Sequence, residues 1–325
     1  MNNLTKKANG ESANTIPEDE DRLFILNNQN GHIDMEAALS ALRQDKVILI
    51  QNTAPTSADR IVFSIAQAFG LDKKLEAEAG FASVSEHRKR IGKYFMSVNK
   101  RDDYQFIPAH SEGRHSTNMQ LAAFYSVENT TDGGETILLN TNQYSSEWEK
   151  LGEIVGKFDI SGRTLSPHEI TQARLLFNVR IPDDLLSTQD QIISEDSSPL
   201  PGVKRFNVLE KLQKMHSVIL DRELYVYWDS VASYDKDSGQ GYFDFLASTG
   251  LFKAPSSSML PEHLDNAYDR RIWSSGINYN SLFAAKITRK LVSGDLVVMN
   301  NLSWVHSTNN WTPNSGTRKV AAAFA

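Results

Sequence analysis

The residues most able to do chemistry in this 325-residue sequence are its histidines, because cysteine is absent. Without cysteine there can be no disulfide, thiolate metal site, iron–sulfur cluster or cysteine nucleophile. Any bound metal ion must therefore take nitrogen and oxygen ligands. The candidate nitrogen donors are His32, His87, His110, His115, His168, His216, His263 and His306.

One pair of residues has the spacing of metal ligands. His110 and Glu112 are two positions apart, and in an extended segment such residues point to the same side. Taken alone, a His-x-Glu pair is more often an exposed salt-bridging couple. His87 lies among charged residues, His168 in the first turn of a capped helix and His216 on a predicted helix, which favours structural or surface roles for all three.

A third candidate ligand lies near the C-terminus, in the segment SGDLVVMNNLSWVHSTNNWTPNSGTRKVAAAF. The pattern predicts a turn at the Gly-Asp pair, an apolar strand LVVMN, the histidine His306, and a closing strand from Arg318 to Phe324. Arg318 follows His306 by twelve residues and begins that strand. A histidine and a permanently charged arginine are thus expected on neighbouring segments.

The elements that must position these residues are an α/β lead-in followed by buried strands. A helix is predicted after the N-cap Asp34, then a strand KVILIQN, then a helix from Ser57 to Phe69. The segment MQLAAFYSV is typical of a strand buried on both faces. The segment ETILLN, beyond the DGG turn at 132–134, is predicted to be its neighbour.

Four of these segments, in the same order, resemble the taurine dioxygenase and clavaminate synthase-like superfamily. They are HSE at 110–112 as the His-x-Asp/Glu pair, GGETILLN as the Gly-Gly-Asp/Glu-Thr strand, KVILIQN with its following helix, and the C-terminal segment in which a Gly-Asp turn leads through Asn301 to His306. Together they bracket most of residues 45 to 325. The resemblance implies an iron(II)- and 2-oxoglutarate-dependent oxygenase.

The resemblance also implies a role for each site residue. His110, Glu112 and His306 would hold iron(II) and leave three positions open. 2-Oxoglutarate would fill two and oxygen the third, with Arg318 holding the distal carboxylate of 2-oxoglutarate and the Thr136 hydroxyl adding a hydrogen bond. The retained glutamate predicts oxygenation rather than halogenation. We expect hydroxylation of an unactivated C–H bond, with succinate and carbon dioxide formed from 2-oxoglutarate; desaturation, cyclisation and epoxidation stay open.

Substrate recognition is expected close to the ligand pair. Gln105, Arg114 and His115 are near enough in sequence to line the pocket mouth, with hydrogen bonding at the rim as the alternative. The chain departs from the family pattern at NNL (300–302), where Asp-Asn-Arg is usual, and at AAA (321–323), where a second arginine is missing. The missing arginine speaks against a small anionic substrate. We expect a small molecule such as an amino acid or natural-product intermediate, free or carrier-tethered.

The predicted fold is mainly β with flanking helices (α+β): a double-stranded β-helix, or jelly roll, under a helical lid. Residues 1–21 are predicted to be a disordered tail and 22–325 one catalytic domain. The core strands would span about 45–140 and 291–325, with the lid insertion at about 141–290. A capping box at Ser166–Glu169 and a periodic stretch from Leu209 to Ile219 make the lid helical in this prediction.

Composition restricts the partners and leaves two rival functions. A net charge of −6 argues against a nucleic-acid partner. No apolar run approaches the roughly 18 residues of a membrane span, and a cytoplasmic location is expected.

The same three ligands could serve a zinc hydrolase, and the fold could be a binding module without catalysis. The hydrolase leaves Arg318 and Thr136 unexplained. The sequence does not specify the oligomeric state.

Overall fold

The computed structural model of the chain describes residues 16–28, 31–84, 89–98, 107–115, 117–177, 184–198, 201–228, 231–233, 277–309, 311–312 and 314–325. The helices in these residues are α1 (Met35–Arg43), α2 (Pro55–Ala68), α3 (Asp72–Val84), α4 (Pro167–Phe177) and α5 (Tyr279–Leu282), with 3-10 turns at Glu20–Arg22 and Ser146–Lys150. The strands are β1 (Leu23–Asn27), β2 (Val47–Gln51), β3 (Met96–Ser97), β4 (Ile107–His110), β5 (Leu121–Asn129), β6 (Thr136–Thr141), β7 (Leu151–Asp159), β8 (Gln191–Asp196), β9 (Lys204–Lys211), β10 (Met215–Ser217), β11 (Arg222–Leu224), β12 (Val231–Ser233), β13 (Phe283–Arg289), β14 (Leu296–Asn300), β15 (Trp304–Thr308) and β16 (Arg318–Phe324).

Two sheets face each other and form the sandwich of a jelly roll. One has six strands in the order β1-β2-β14-β5-β16-β3, and the other has four in the order β13-β6-β15-β4. Side chains from both sheets fill the space between them, including Phe124 and Ala322 of the first sheet and Leu138 and Trp304 of the second. This packed interior confirms the predicted mainly-β jelly-roll core.

The strands β5 and β6 lie in different sheets, although the sequence predicted them to be neighbours. β5 pairs with β14 and β16, whereas β6 pairs with β13 and β15. The turn between them carries the chain from one sheet to the other, and Gly133 and Gly134 adopt positive φ values of 107° and 71° there. The prediction of neighbours is wrong because two apolar strands have the same pattern whether they pair or stack.

The helices α1, α2 and α3 cover the outer face of the six-stranded sheet. The Asp34 carboxylate caps α1 by accepting a hydrogen bond from the Ala37 N–H at 2.9 Å, as predicted. Pro55 begins α2, where its missing N–H costs no helical hydrogen bond. Leu42 of α1 and Ile65 of α2 are fully buried against the sheet. The lead-in unit therefore forms a firm backing for the sheet.

The insertion after β6 is built mainly from strands where the structure describes it. β12, β7, β9 and β8 form a four-stranded antiparallel sheet. The capping box before α4 is confirmed, since Ser166 and Glu169 exchange side-chain to backbone hydrogen bonds. The predicted helix from Leu209 to Ile219 is wrong: these residues form the end of β9, β10 and a turn, because β7 and β8 provide pairing partners for β9.

The limits of the core also differ from the prediction. β13 lies within the predicted lid but pairs with β6 in the core sheet. At the N-terminus, Ile16 is buried, the Lys286 N–H donates to the Pro17 carbonyl and the Asp19 N–H donates to the Lys286 carbonyl, each at 2.9 Å. The predicted tail is too long, because the segment 16–21 forms backbone hydrogen bonds with the edge strand β13.

Among the described residues, no helix has both the length and the apolar character that crossing a membrane requires.

Candidate metal centre

Two histidines face each other across a pair of antiparallel strands. His110 is the last residue of β4, His306 is the middle residue of β15, and the two are partners in the β4–β15 ladder. Opposed residues in a ladder point to the same face of the sheet. Accordingly, the two imidazole rings lie with their centroids 4.4 Å apart. One strand pair thus brings together two ligands that are remote in sequence.

Glu112 completes the cluster from the turn that follows β4. Its Oε1 lies 3.5 Å from Nε2 of His110 and 3.4 Å from Nε2 of His306. One donor atom from each of the three residues lies within 4.8 Å of the others, the only such group found in the part of the chain that the structure describes. Metal–ligand bonds of about 2.1 Å at right angles would put the donors about 3 Å apart. The donor set fits a divalent ion with nitrogen and oxygen ligands.

The two imidazoles keep the Glu112 carboxyl ionised. Burial raises the pKa of this carboxyl, but the hydrogen bonds and charges of His110 and His306 outweigh burial and hold the pKa well below its usual range. A carboxylate that is already anionic can bind a cation without first releasing a proton. Glu112 is therefore ready to bind a cation, whereas the two imidazoles bind a metal only in their neutral form.

An apolar wall lies beside the imidazoles. The ring of Phe124, from β5 in the opposite sheet, has its centroid 4.6 Å from that of His306. Phe124 in turn meets Phe324 of β16 edge-on, at 6.1 Å between centroids. Because these rings belong to the space between the sheets, the cluster lies inside the sandwich, where weaker screening strengthens the attraction between a cation and its ligands.

The predicted arginine begins β16 and faces the same interior. Arg318 shares its side of the strand with Val320, a member of the interior core, because alternate residues of a strand point the same way. Its guanidinium donates to the Thr308 hydroxyl and to the Gly134 carbonyl, both at 3.2 Å. Thr308 stands two residues beyond His306 on β15. About 7 Å of strand therefore separates the metal ligand from the residue that contacts the arginine.

Thr136 and Thr308 form a pair of buried threonines on the four-stranded sheet, next to Arg318. They are partners in the β6–β15 ladder, so their side chains share one face. Sequence reasoning selected Thr136 and missed Thr308, the one that contacts Arg318. The signal that could have found Thr308 is its two-residue spacing from His306 on a predicted strand.

The residues predicted to contact substrate lie at the rim or outside the described residues. Gln105 falls outside them. Arg114 and His115 are exposed in the turn after Glu112, where the His115 N–H donates to the Glu153 carboxylate at 3.3 Å. Their part in substrate binding stays a prediction.

Known proteins resemble this chain in structure and hardly at all in sequence. No family model and no curated protein matches it. PvcB, an Fe, alpha-ketoglutarate dependent oxygenase from an isonitrile synthetic pathway, matches with 11% identity and a TM-score of 0.43 over 95% of this chain and 89% of that chain. AAD-2, solved with Mn(II) and N-oxalylglycine, matches with 12% identity and a TM-score of 0.44 over 96% of each chain. The non-heme iron oxygenase OrfP matches with 11% identity and a TM-score of 0.39 over 89% of this chain and 80% of that chain. These similarities are too low to transfer a function to this chain.

Proposed function

We propose that the protein is a non-haem iron(II)- and 2-oxoglutarate-dependent oxygenase that oxidises a C–H bond of a small molecule. One observation carries the proposal: the sandwich interior holds a two-histidine, one-carboxylate cluster and also an arginine contacting the same strand. A metal hydrolase needs the cluster but has no evident use for the arginine. A chelating keto acid needs both, a metal at one end and a fixed cation at its distal carboxylate.

The three ligands would bind iron(II) from one side. His110 and His306 would each bind through Nε2, and Glu112 through its carboxylate, which is the facial set of iron(II) oxygenases. When bound, iron with 2-oxoglutarate and oxygen supplies the oxidising chemistry, releasing succinate and carbon dioxide. Because Glu112 occupies the carboxylate position, no ligand site is vacated for a halide. Oxygenation, most simply hydroxylation, is the proposed outcome.

Arg318 would hold the distal carboxylate of 2-oxoglutarate. A guanidinium is planar and always charged, so it can present two N–H groups to one carboxylate in a fixed geometry. The Gly134 carbonyl accepts from Nε and the Thr308 hydroxyl from one terminal nitrogen, which sets the plane of the guanidinium. Thr136, beside Thr308, would add a hydroxyl donor to the same carboxylate.

The substrate would meet the iron between the apolar wall and the rim. Phe124 covers one side of His306 and would exclude bulk water there. Arg114 and His115, exposed after Glu112, are the nearest charged or titratable groups on the ligand-bearing turn, and we propose them as substrate contacts. The substrate class is a small molecule, free or carrier-tethered.

The proposal is tested by visible absorption of the protein with iron(II), recorded under anaerobic conditions with and without 2-oxoglutarate. A weak charge-transfer band should appear only when both are present, because the band requires the keto acid to chelate the metal. The band should vanish in His110→Ala and His306→Ala. It should persist in His216→Ala, which removes an exposed histidine on β10 and serves as the matched control.

Bound iron without a band would contradict the oxygenase proposal. Hydrolysis assays with zinc would then be the next experiment. Absence of any metal binding would instead favour a non-catalytic binding module. Each rival therefore has its own signature in the same titration.

A further inference from the structure

A completely buried asparagine links the two chain segments that carry the metal ligands. Asn301 follows β14 in the turn that leads to β15, five positions before His306, and has no solvent exposure. Its backbone N–H donates to the Gln120 carbonyl at 2.8 Å, which ties the turn to the residue preceding β5. The side chain is thereby fixed and directed toward the segment containing Glu112.

The Asn301 side chain makes three hydrogen bonds to that segment. Its Oδ1 accepts from the Glu112 backbone N–H at 3.0 Å. Its Nδ2 donates to the Glu112 carbonyl at 2.9 Å and to the Met119 carbonyl at 2.7 Å. One side chain therefore satisfies both backbone groups of a metal ligand and also closes the loop in which that ligand lies.

Only a carboxamide has the required set of donors and acceptors. The N–H partner fixes which side of the amide is oxygen, and the two carbonyl partners fix which side is nitrogen. Aspartate has the same shape, but it would offer an oxygen to two carbonyl oxygens and bury a second negative charge near the Glu112 carboxylate. The contacts thus specify asparagine, rather than a residue of its size.

We propose that Asn301 is a positioning residue that holds Glu112 at the bonding distance from the two histidines. Glu112 is the one ligand outside a strand, so no ladder of hydrogen bonds fixes its backbone. The turn that begins the His306 strand instead supplies the missing hydrogen bonds. This inference rests on the proposed metal centre and adds a residue that sets its geometry.

Asn300 provides a matched control. It is the same residue type, is equally buried and lies next in the chain. Its side chain accepts from the Leu302 N–H at 3.0 Å and donates to the Ser217 hydroxyl at 3.2 Å. Substituting Asn300 perturbs the same turn through different partners. Comparing the two positions therefore separates loss of stability from loss of ligand positioning.

The test compares Asn301→Asp and Asn301→Ala with Asn300→Asp and Asn300→Ala. Metal affinity is measured by titration with Mn²⁺, followed by the electron paramagnetic resonance signal of the free ion, and stability by thermal unfolding without metal. The Asn301 variants should bind Mn²⁺ roughly 10- to 100-fold more weakly, the usual loss for a residue that orients a ligand. The Asn300 variants should lose stability while their affinity stays close to that of the wild type.

A second readout reports the ligand itself. The visible spectrum of bound Co²⁺ depends on the number and type of ligands. If Asn301 positions Glu112, the Co²⁺ spectra of the Asn301 variants should shift toward that of Glu112→Ala, whereas the Asn300 spectra should match the wild type. If neither Asn301 variant folds, Asn301→Ser, which is smaller and keeps a donor and an acceptor, takes their place.

Equal losses of affinity at positions 300 and 301, or an unchanged Co²⁺ spectrum in the Asn301 variants, would overturn the inference and leave the metal centre intact. A wild-type protein that binds neither ion would remove the metal centre itself, and the inference with it. The two failures are therefore distinguishable in one set of titrations.

Discussion

Two carboxylates, partly buried Glu112 and buried Asp45, are held beside the same strand, β15, in opposite ways. Glu112 lies between the imidazole of His306, in the middle of this strand, and the imidazole of His110 on β4. Asp45, at the other end, accepts hydrogen bonds from the Ser303 hydroxyl and from Asn140 Nδ2, and its backbone carbonyl accepts from the indole N–H of Trp304 at 3.1 Å. One carboxylate is surrounded by groups that could share a cation. The other has mainly neutral donors around it, with the Arg222 guanidinium 3.7 Å away.

The pKa values of the two groups diverge accordingly. Burial raises the pKa of Asp45, and the hydrogen bonds from Ser303 and Asn140, with the charge of Arg222 at 3.7 Å, do not cancel that effect. The imidazoles instead hold the pKa of Glu112 well below its usual range. Burial alone therefore does not make a metal ligand. The partners decide whether a carboxylate removed from bulk solvent serves the packing of the lead-in unit or the binding of a metal ion.

The largest expected effect comes from removing the metal ligand that β15 supplies, His306. His306→Ala should weaken Mn²⁺ binding by more than about 100-fold, because even residues that only orient ligands cost 10- to 100-fold. The stability that the Asp45 contacts provide should be unaffected. Mn²⁺ titration and urea unfolding measure both, with His216→Ala as the control. Retained affinity in His306→Ala would refute the assignment of this histidine.

Arg318 tests whether the metal end also binds a co-substrate. Arg318→Ala should weaken 2-oxoglutarate binding to the metal-loaded protein about 100-fold, since two charge-assisted hydrogen bonds of about 1.5 kcal/mol each are lost. Arg318→Lys should recover part of the affinity, and Mn²⁺ affinity should be unchanged in both. Lys319→Ala, an exposed neighbour paired with Glu128, is the control. Similar losses in the Lys319 and Arg318 variants would contradict the proposed role.

The pH dependence of stability should separate the two carboxylates in the metal-free protein. The folded pKa of Glu112 lies well below the ordinary glutamate value of 4.5, so its stabilising contribution is present above pH 4.5 and is lost as the pH falls through the folded value. The folded pKa of Asp45 lies above 3.8, so protonation favours the folded state, and stability is gained as the pH falls from the folded value toward 3.8.

Glu112→Gln should therefore reduce the loss of stability in acid, and Asp45→Asn should increase it. Each substitution changes the slope by at most about 1.4 kcal/mol per pH unit. Urea unfolding in the presence of a chelator, from pH 7 to pH 3, measures both slopes against the wild type. Parallel profiles for the two variants would show that the carboxylates do not differ as described.

The smallest expected effect concerns the hydroxyl that contacts the arginine. Thr308→Val removes one hydrogen bond to Arg318 and should weaken 2-oxoglutarate binding by about 1 kcal/mol, roughly fivefold. Thr136→Val, at the partner position in the ladder, preserves that contact and tests the direct role proposed for Thr136. Calorimetric titration of 2-oxoglutarate would resolve the two. An unchanged affinity in Thr308→Val would make that hydroxyl a packing group only.

Local patterns in the sequence correctly predicted several elements of the core and one helix start in the insertion. Asp34 at the start of α1, the Ser166–Glu169 capping box and the apolar run of β14 each depend on neighbours within a few positions, and each is present. The failure at Leu209–Ile219 has the opposite cause. Apolar residues recur there at helical spacing and are buried, but they lie in strands and turns. The pairing of β9 with β7 and β8 cannot be seen in a short window of sequence.

The candidate site was accessible to sequence reasoning only in part. The two-residue spacing of His110 and Glu112 only suggested a pair of ligands. Their role in a metal site, like the roles of His306 and Arg318, was predicted from the resemblance to a known family. Thr308 was missed because its partner Arg318 lies on another strand. The hydrogen bonds between the Asn301 side chain and the Glu112 backbone were not predicted, because the two residues are far apart in the chain.

By itself, the sequence determined which atoms could bind a metal, since the lack of cysteine leaves only nitrogen and oxygen donors, and it determined the short-range signals that begin helices and strands. Only the tertiary structure decided that β5 and β6 lie in opposite sheets, that the described part of the insertion is mainly β, and that Glu112 and Asp45 have opposite surroundings. The physical reason is that strand pairing and burial depend on partners many residues away, whereas caps and turns depend on residues within one turn of the chain.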